Sequence, residues 1–209
     1  MDNSSVNLNQ GLTGLAGFAG FNLETDTSKA AVASNILVSK RFLSTFVVNR
    51  EALYFLTGIK KEELASMEES NRNKIIIEGA STLRSSITFG RPPLQPFYQL
   101  IVTAATPELA MNWTNWLIED LNESMRKNDV VEAEKSIEFL EKKAMSTSVL
   151  DLKVLFFSMI ESHVKTVMLS EIRNEYVFKT IDPAVLPFRK SGPIRIKMVA
   201  WAVIIGIGT

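Results

Sequence analysis

The sequence predicts an α+β fold, a small α/β base that carries a long projecting helix and an antiparallel helix returning along it. Three observations carry that expectation. Between Pro107 and Pro183 the chain has neither proline nor glycine, so helix can run almost unbroken. Upstream, "SSITFG" and "PFYQLIVTAA" are rich in Ile, Thr, Phe, Tyr and Val and flank the turn-forming "RPPLQP", a hairpin pattern. Finally, 209 residues with 46% hydrophobic and 22% charged side chains suit one domain that buries a true core.

Residues 1–27 are rich in Asn, Ser, Thr and Gly. Gly11, Gly14, Gly17 and Gly20 stand three apart, which does not match the glycine offsets of a dinucleotide or phosphate loop. A flexible segment with apolar residues tucked under the domain is expected. The opening "MDNSSVNLNQ" has no basic region followed by an apolar core, so it is not a signal peptide. If the domain lies outside the cytoplasm, its export signal is not in this sequence.

Thr27 or Ser28 is expected to cap a helix. Ile36, Leu43, Phe46 and Val47 recur at helical spacing, giving one or two short helices as far as Asn49. A further helical piece is expected through "KEELASMEESNRNKIIIEGASTL". After the hairpin, Thr106 can cap, Pro107 suits the first helical position and Glu108 favours the positive end of the helix dipole. A helix from Pro107 to Met145 would be roughly 58 Å long at 1.5 Å per residue, more than the width of such a domain, so part of it should project. Its ends are apolar (Leu109, Trp113, Trp116 and Leu117; then Ala133, Ile137, Leu140 and Ala144). Its middle, "NESMRKNDVVEAE", is charged, as in a helix that stands in solvent or packs against copies of itself. "STSVLD" should end it, with Ser148 and Asp151 as the capping box of a second helix over about 149–174. "YVFKTIDPAVLP" then reads as a strand leaving through prolines.

Charge is balanced overall, 23 basic against 23 acidic side chains, but unevenly placed. Residues 1–182 hold 19 basic and 23 acidic groups, whereas Arg189, Lys190, Arg195 and Lys197 follow with no acidic residue. Such a body is a poor nucleic-acid surface, which needs clustered positive charge. The basic tail runs into Met198–Thr209, twelve residues without a charge. That is short of the roughly 20 needed to cross a bilayer. It reads as a buried strand or as the first half of a membrane helix, with the basic residues suited to headgroups.

Little in the sequence points to catalysis. The absence of cysteine excludes disulfides, thiolate chemistry and thiolate metal sites. The one histidine, His163, has no carboxylate at ligand spacing and is read as a packed residue rather than an acid–base or metal group. Neither a GxSxG elbow nor a P-loop occurs. Glu119 with Asp120, and Glu132 with Glu134, read as charged helix positions. Trp113 and Trp116 share a helix face and are expected in the core at the helix foot, the alternative being a platform for a sugar. No catalytic, cofactor-binding or metal-ligating residue is expected, and the chain is read as not an enzyme.

The segments "ILVSKRFLSTFV", "TPELAMNWTNWLIEDLNESMRKNDVVEAEKSIEFLE" and "TSVLDLKVLFFSMIESHVKTVMLSEIRNEYVFKTIDPAVLP" resemble the chain-length determinants of bacterial surface polysaccharides, the Wzz-type polysaccharide co-polymerases. The resemblance covers roughly residues 12–205 and is strongest over 106–187. It implies a bacterial inner-membrane protein with two membrane helices and a periplasmic domain between them, here 28–187 with a helical arm over about 107–174. That domain would have its base near the membrane. Residues 188–209 would be the basic linker and the truncated start of the second membrane helix, with Ser191 and Pro193 at the junction and Phe188 where a more polar linker is expected. The first membrane helix and the first strand of the base would lie outside this sequence. The resemblance further implies a homo-oligomeric ring without cofactors. Its partners would be a membrane O-antigen polymerase and a lipid-linked polysaccharide, and its role to set the modal length of that glycan. A relative serving capsule, exopolysaccharide or enterobacterial common antigen is the alternative.

Overall fold

The computed structural model describes residues 26–173 and 175–186 and is mostly helical around one small antiparallel sheet. The segments 1–25 and 187–209, which include the spaced glycines, Phe188, the Ser191–Pro193 junction and the apolar tail, lie outside the described residues. The first helix among the described residues, α1 (Asp26–Leu37), already contains Thr27 and Ser28, so its start lies before both. The capping hydroxyl is that of Ser39, which accepts the Phe42 N–H at 3.2 Å and starts α2 (Lys40–Asn49).

The expected helical piece after it is interrupted. Short helices α3 (Leu53–Thr57) and α4 (Lys61–Ser66) precede the longer α5 (Glu69–Ser86), because Met67 and Glu68 take extended backbone angles. Gly58 ends α3 at φ +79°, a left-handed turn that an L side chain resists. Helix α5 runs directly into β1 (Ile87–Gly90), which pairs with β2 (Gln99–Val102), Ile87 opposite Val102 and Gly90 opposite Gln99. The hairpin is where the sequence places it. Among the described residues these two strands are the whole sheet, so the base is a helical packet with one hairpin rather than an α/β layer.

Helix α6 (Pro107–Ser146) is 40 residues, about 60 Å at the standard rise. The Thr106 hydroxyl accepts the Leu109 N–H at 3.3 Å and proline occupies the first turn, as the local signals require. Its first half enters the base through Trp113, Leu117, Leu121 and Met125, one stripe at intervals of four. That stripe meets Leu37, Leu43, Phe46 and Val47 from α1 and α2 and Leu83 from α5 within one core. The second half lies outside that core and buries Ala133, Leu140 and Ala144. Its neighbour is α7 (Leu150–Ile172), which returns along it.

Two further expectations fail at the ends of α7. Its N-cap is Val149, with no side-chain cap, so Ser148 and Asp151 form no capping box. Thr147 instead accepts the Val149 N–H at 3.3 Å, one residue before the expected cap. Nor is "YVFKTIDPAVLP" a strand: up to Leu186 it is irregular, and its backbone groups bond to side chains of α6 rather than to a sheet. No single helix among the described residues is long and apolar enough to cross a membrane. The pair α1–α2 passes on length and composition but is bent by 60°. Its Leu37, Leu43, Phe46 and Val47 are fully enclosed in the domain core.

Candidate functional surface

The arm formed by α6 and α7 carries the surface features of this chain. Between the two helices runs an open groove of about 610 Å³, lined by Lys127, Val131, Lys135 and Phe139 from α6 and Met159 and His163 from α7. His163 is half-buried on the groove wall rather than enclosed in the core. Glu132 borders the same groove, and Glu134 is exposed. The charged middle of α6 is satisfied along its own surface. Glu123 pairs with Arg126 one turn on and with Lys127 at 3.1 Å. The Arg126 hydrogen bond, helped by Lys127, holds the Glu123 carboxyl below its ordinary range.

Helix α7 has 13 apolar residues among its 23, and only its Ser170 is fully buried. Leu150, Val154, Phe157, Val164, Met168 and Ile172 remain exposed. Most of them recur at intervals of three, four or seven, the seam spacing of helices that pack on a partner.

The two tryptophans do not form one platform. Trp113 is 2% exposed, with Phe55 edge-on to its ring at 6.5 Å. Trp116 is half-buried, and the Arg50 guanidinium lies 5.2 Å over its indole. The same guanidinium binds Asp120 at 2.6 Å and Glu119 at 2.8 Å, so these carboxylates are ion-pair partners and not a dyad.

The residues that sequence reading missed are Asn115, Asn122 and Asp129, seven apart on α6. Asn115 Oδ1 accepts the Ala184 N–H and its Nδ2 donates to the Ala184 carbonyl, both at 3.1 Å. Buried Asn122 accepts the N–H groups of Val177 and Phe178 and donates to the Phe178 carbonyl, all at 2.9 Å. Each carboxamide thus stands in for a neighbouring strand. Higher up, Asp129 accepts from the Tyr176 hydroxyl at 2.7 Å and from Lys29 at 3.1 Å, and Lys29 also lies 5.3 Å over the Tyr176 ring. Burial, with Asp129 in support, pushes the Tyr176 phenol above its ordinary value. The Phe178 ring packs edge-on against Phe89 and Tyr98, which stack on each other across the hairpin. The seven-residue spacing of polar side chains was the available signal.

Among the described residues no group of three or more His, Asp or Glu side chains is arranged to hold a metal. The chain matches no family model, no curated protein and no solved structure.

Proposed function

We propose that this chain is the periplasmic part of a Wzz-type polysaccharide co-polymerase of the bacterial inner membrane, a non-enzymatic regulator. It sets the modal chain length of a surface polysaccharide, lipopolysaccharide O-antigen in the first instance, by acting with a membrane polymerase on a lipid-linked glycan. The observation that carries this reading is the resemblance of residues 106–187, joined to the form those residues take. They make a 40-residue helix rooted in a base and a helix that returns along it. The chain after α7 then runs back toward the start of α6, since Phe178 lies at Asn122 and Ala184 at Asn115. The exposed apolar seam of α7 supports assembly into a homo-oligomeric ring, because a second copy would cover what one copy leaves in water.

The test is expression of the full-length gene in a strain whose own length determinant is deleted, with the surface polysaccharide resolved on a gel. A cluster of bands at one preferred length is the expected result. An unregulated ladder, with the protein folded and in the membrane, overturns the O-antigen reading and moves the question to capsule, exopolysaccharide and common-antigen glycans. Within a positive result, charge reversals from Met125 to Glu141 shift the preferred length without unfolding the base, and an unchanged profile across the series removes the arm from the mechanism.

A further inference from the structure

The segment 175–186 follows α6 toward its N-terminal end, held by the stripe Asn115, Asn122 and Asp129. A seven-residue repeat drifts by only about 20° per step on a straight helix, so the three side chains face the segment in a line. The two lower attachments are unequal. Asn122 is 4% exposed, makes three bonds at 2.9 Å, and sits where Phe178 locks into the rings of Phe89 and Tyr98. Asn115 is exposed and makes two bonds at 3.1 Å to Ala184 alone.

The chain between these attachments is longer than the distance it covers. Asn115 and Asn122 are separated by about 10.5 Å along the helix. The six steps from Phe178, the last residue Asn122 holds, to Ala184 reach about 20–22 Å when extended. About half of that length is folded into a slack loop, stabilised locally where the Glu175 carboxylate accepts the Thr180 N–H at 2.9 Å. Apolar burial does little to hold the loop, since Ile181 is 80% and Val185 is 70% exposed. Segments with few buried contacts and exposed bonds open at the low end of the local stability range.

We infer that residues 175–186 are a two-stage tether, pinned at Asn122 and releasable at Asn115. Opening the Asn115 clasp frees the slack and lets residues 184–186 move away from α6 by about 10 Å while the base and arm stay folded. The device draws on α6, the segment 175–186 and the hairpin rings of Phe89 and Tyr98, and is independent of which glycan, if any, the protein serves.

Hydrogen exchange and spin-label distances read the two stages separately. Asn115→Ala is expected to raise exchange at the Ala184 amide about tenfold or more while leaving the Val177 and Phe178 amides unchanged. Asn122→Ala is expected to raise all three. The chain has no cysteine, so cysteines introduced at Glu134 and Val185 take labels cleanly. In Asn115→Ala the label distance lengthens and broadens by up to about 10 Å. Circular dichroism confirms the fold of each variant, and the exposure of Asn115 makes that variant the safer of the two. Equal effects of Asn115→Ala on all three amides, or an unaltered Ala184 amide and label distance, overturn the two-stage tether.

Discussion

The guanidinium of Arg50 lies 5.2 Å over the indole of Trp116 and in the same pose grips Asp120 through both Nε and Nη2. Arg50 is the C-cap of α2, so one side chain ties the end of that helix to α6. A lysine keeps the charge but not the planar two-atom hold or the stacking. Arg50→Lys is expected to cost about 1 kcal/mol, the sum of a modest ion pair and a cation–π contact. Thermal melts against wild type decide it, and an unmoved midpoint would place Arg50 among the surface pairs that contribute nothing.

Trp113 is enclosed and Trp116 only half so. Trp113→Ala is expected to cost about 3–5 kcal/mol, the range for emptying a filled aromatic site. Trp116→Ala should cost clearly less. Denaturant titrations of the two variants give the comparison, and equal losses would contradict the burial difference.

Gly79 lies inside α5, where a Cβ would land on the Leu53 side chain. Helix propensity alone would favour replacing a mid-helix glycine. Close packing on buried Leu53 reverses the sign for a branched side chain. Gly79→Val is expected to destabilise by about 1–3 kcal/mol through overpacking. Pairing it with Leu53→Ala should recover part of that loss, and failure to recover any would locate the strain elsewhere.

Tyr176 ties the tether to Asp129 and Lys29 as a neutral phenol. Its pKa is raised in the folded state, chiefly by burial, so its contribution is fully present below the ordinary tyrosine value of 10.0 and is lost as pH rises through the folded value. Ultraviolet titration of phenolate is expected to show an ionisation above pH 10.0 that Tyr176→Phe removes. A titration curve in which Tyr176→Phe deletes only a step at or below 10.0 contradicts the assignment.

Phe157 is 59% exposed on α7, where no other described residue covers it. Phe157→Glu is expected to leave circular dichroism unchanged and to lower the sedimenting mass at matched concentration. If wild type and variant sediment alike, that seam is not the self-association surface.

The long helix was legible because its signals are local. Thr106 and Pro107 set the start of α6, and "STSVLD" set its end to within one residue of the observed Ser146. Helical spacing placed Trp113 and Trp116 together in the core, where Trp113 is enclosed and Trp116 is half-buried. The hairpin was legible for the same reason, with "RPPLQP" between two β-favouring runs. Short helices were less so: Met67 and Glu68 break what composition reads as one helix. Ser148 was a reasonable cap, but the helix starts one residue later at an uncapped Val149, whose N–H bonds back to the Thr147 hydroxyl.

By itself, then, the sequence determined which stretches coil, which pair as a hairpin and which apolar stripe must be buried, since each follows from neighbours within a few residues. What only the tertiary structure decided is where the remaining backbone groups find partners. "YVFKTI" has strand-like side chains, yet a strand exists only if another strand is alongside. Here α6 is alongside, and Asn115 and Asn122 supply the donors and acceptors that a sheet would have supplied. A partly buried N–H or carbonyl takes whichever partner the packing brings within reach, and that choice is made by residues more than fifty positions away in the chain.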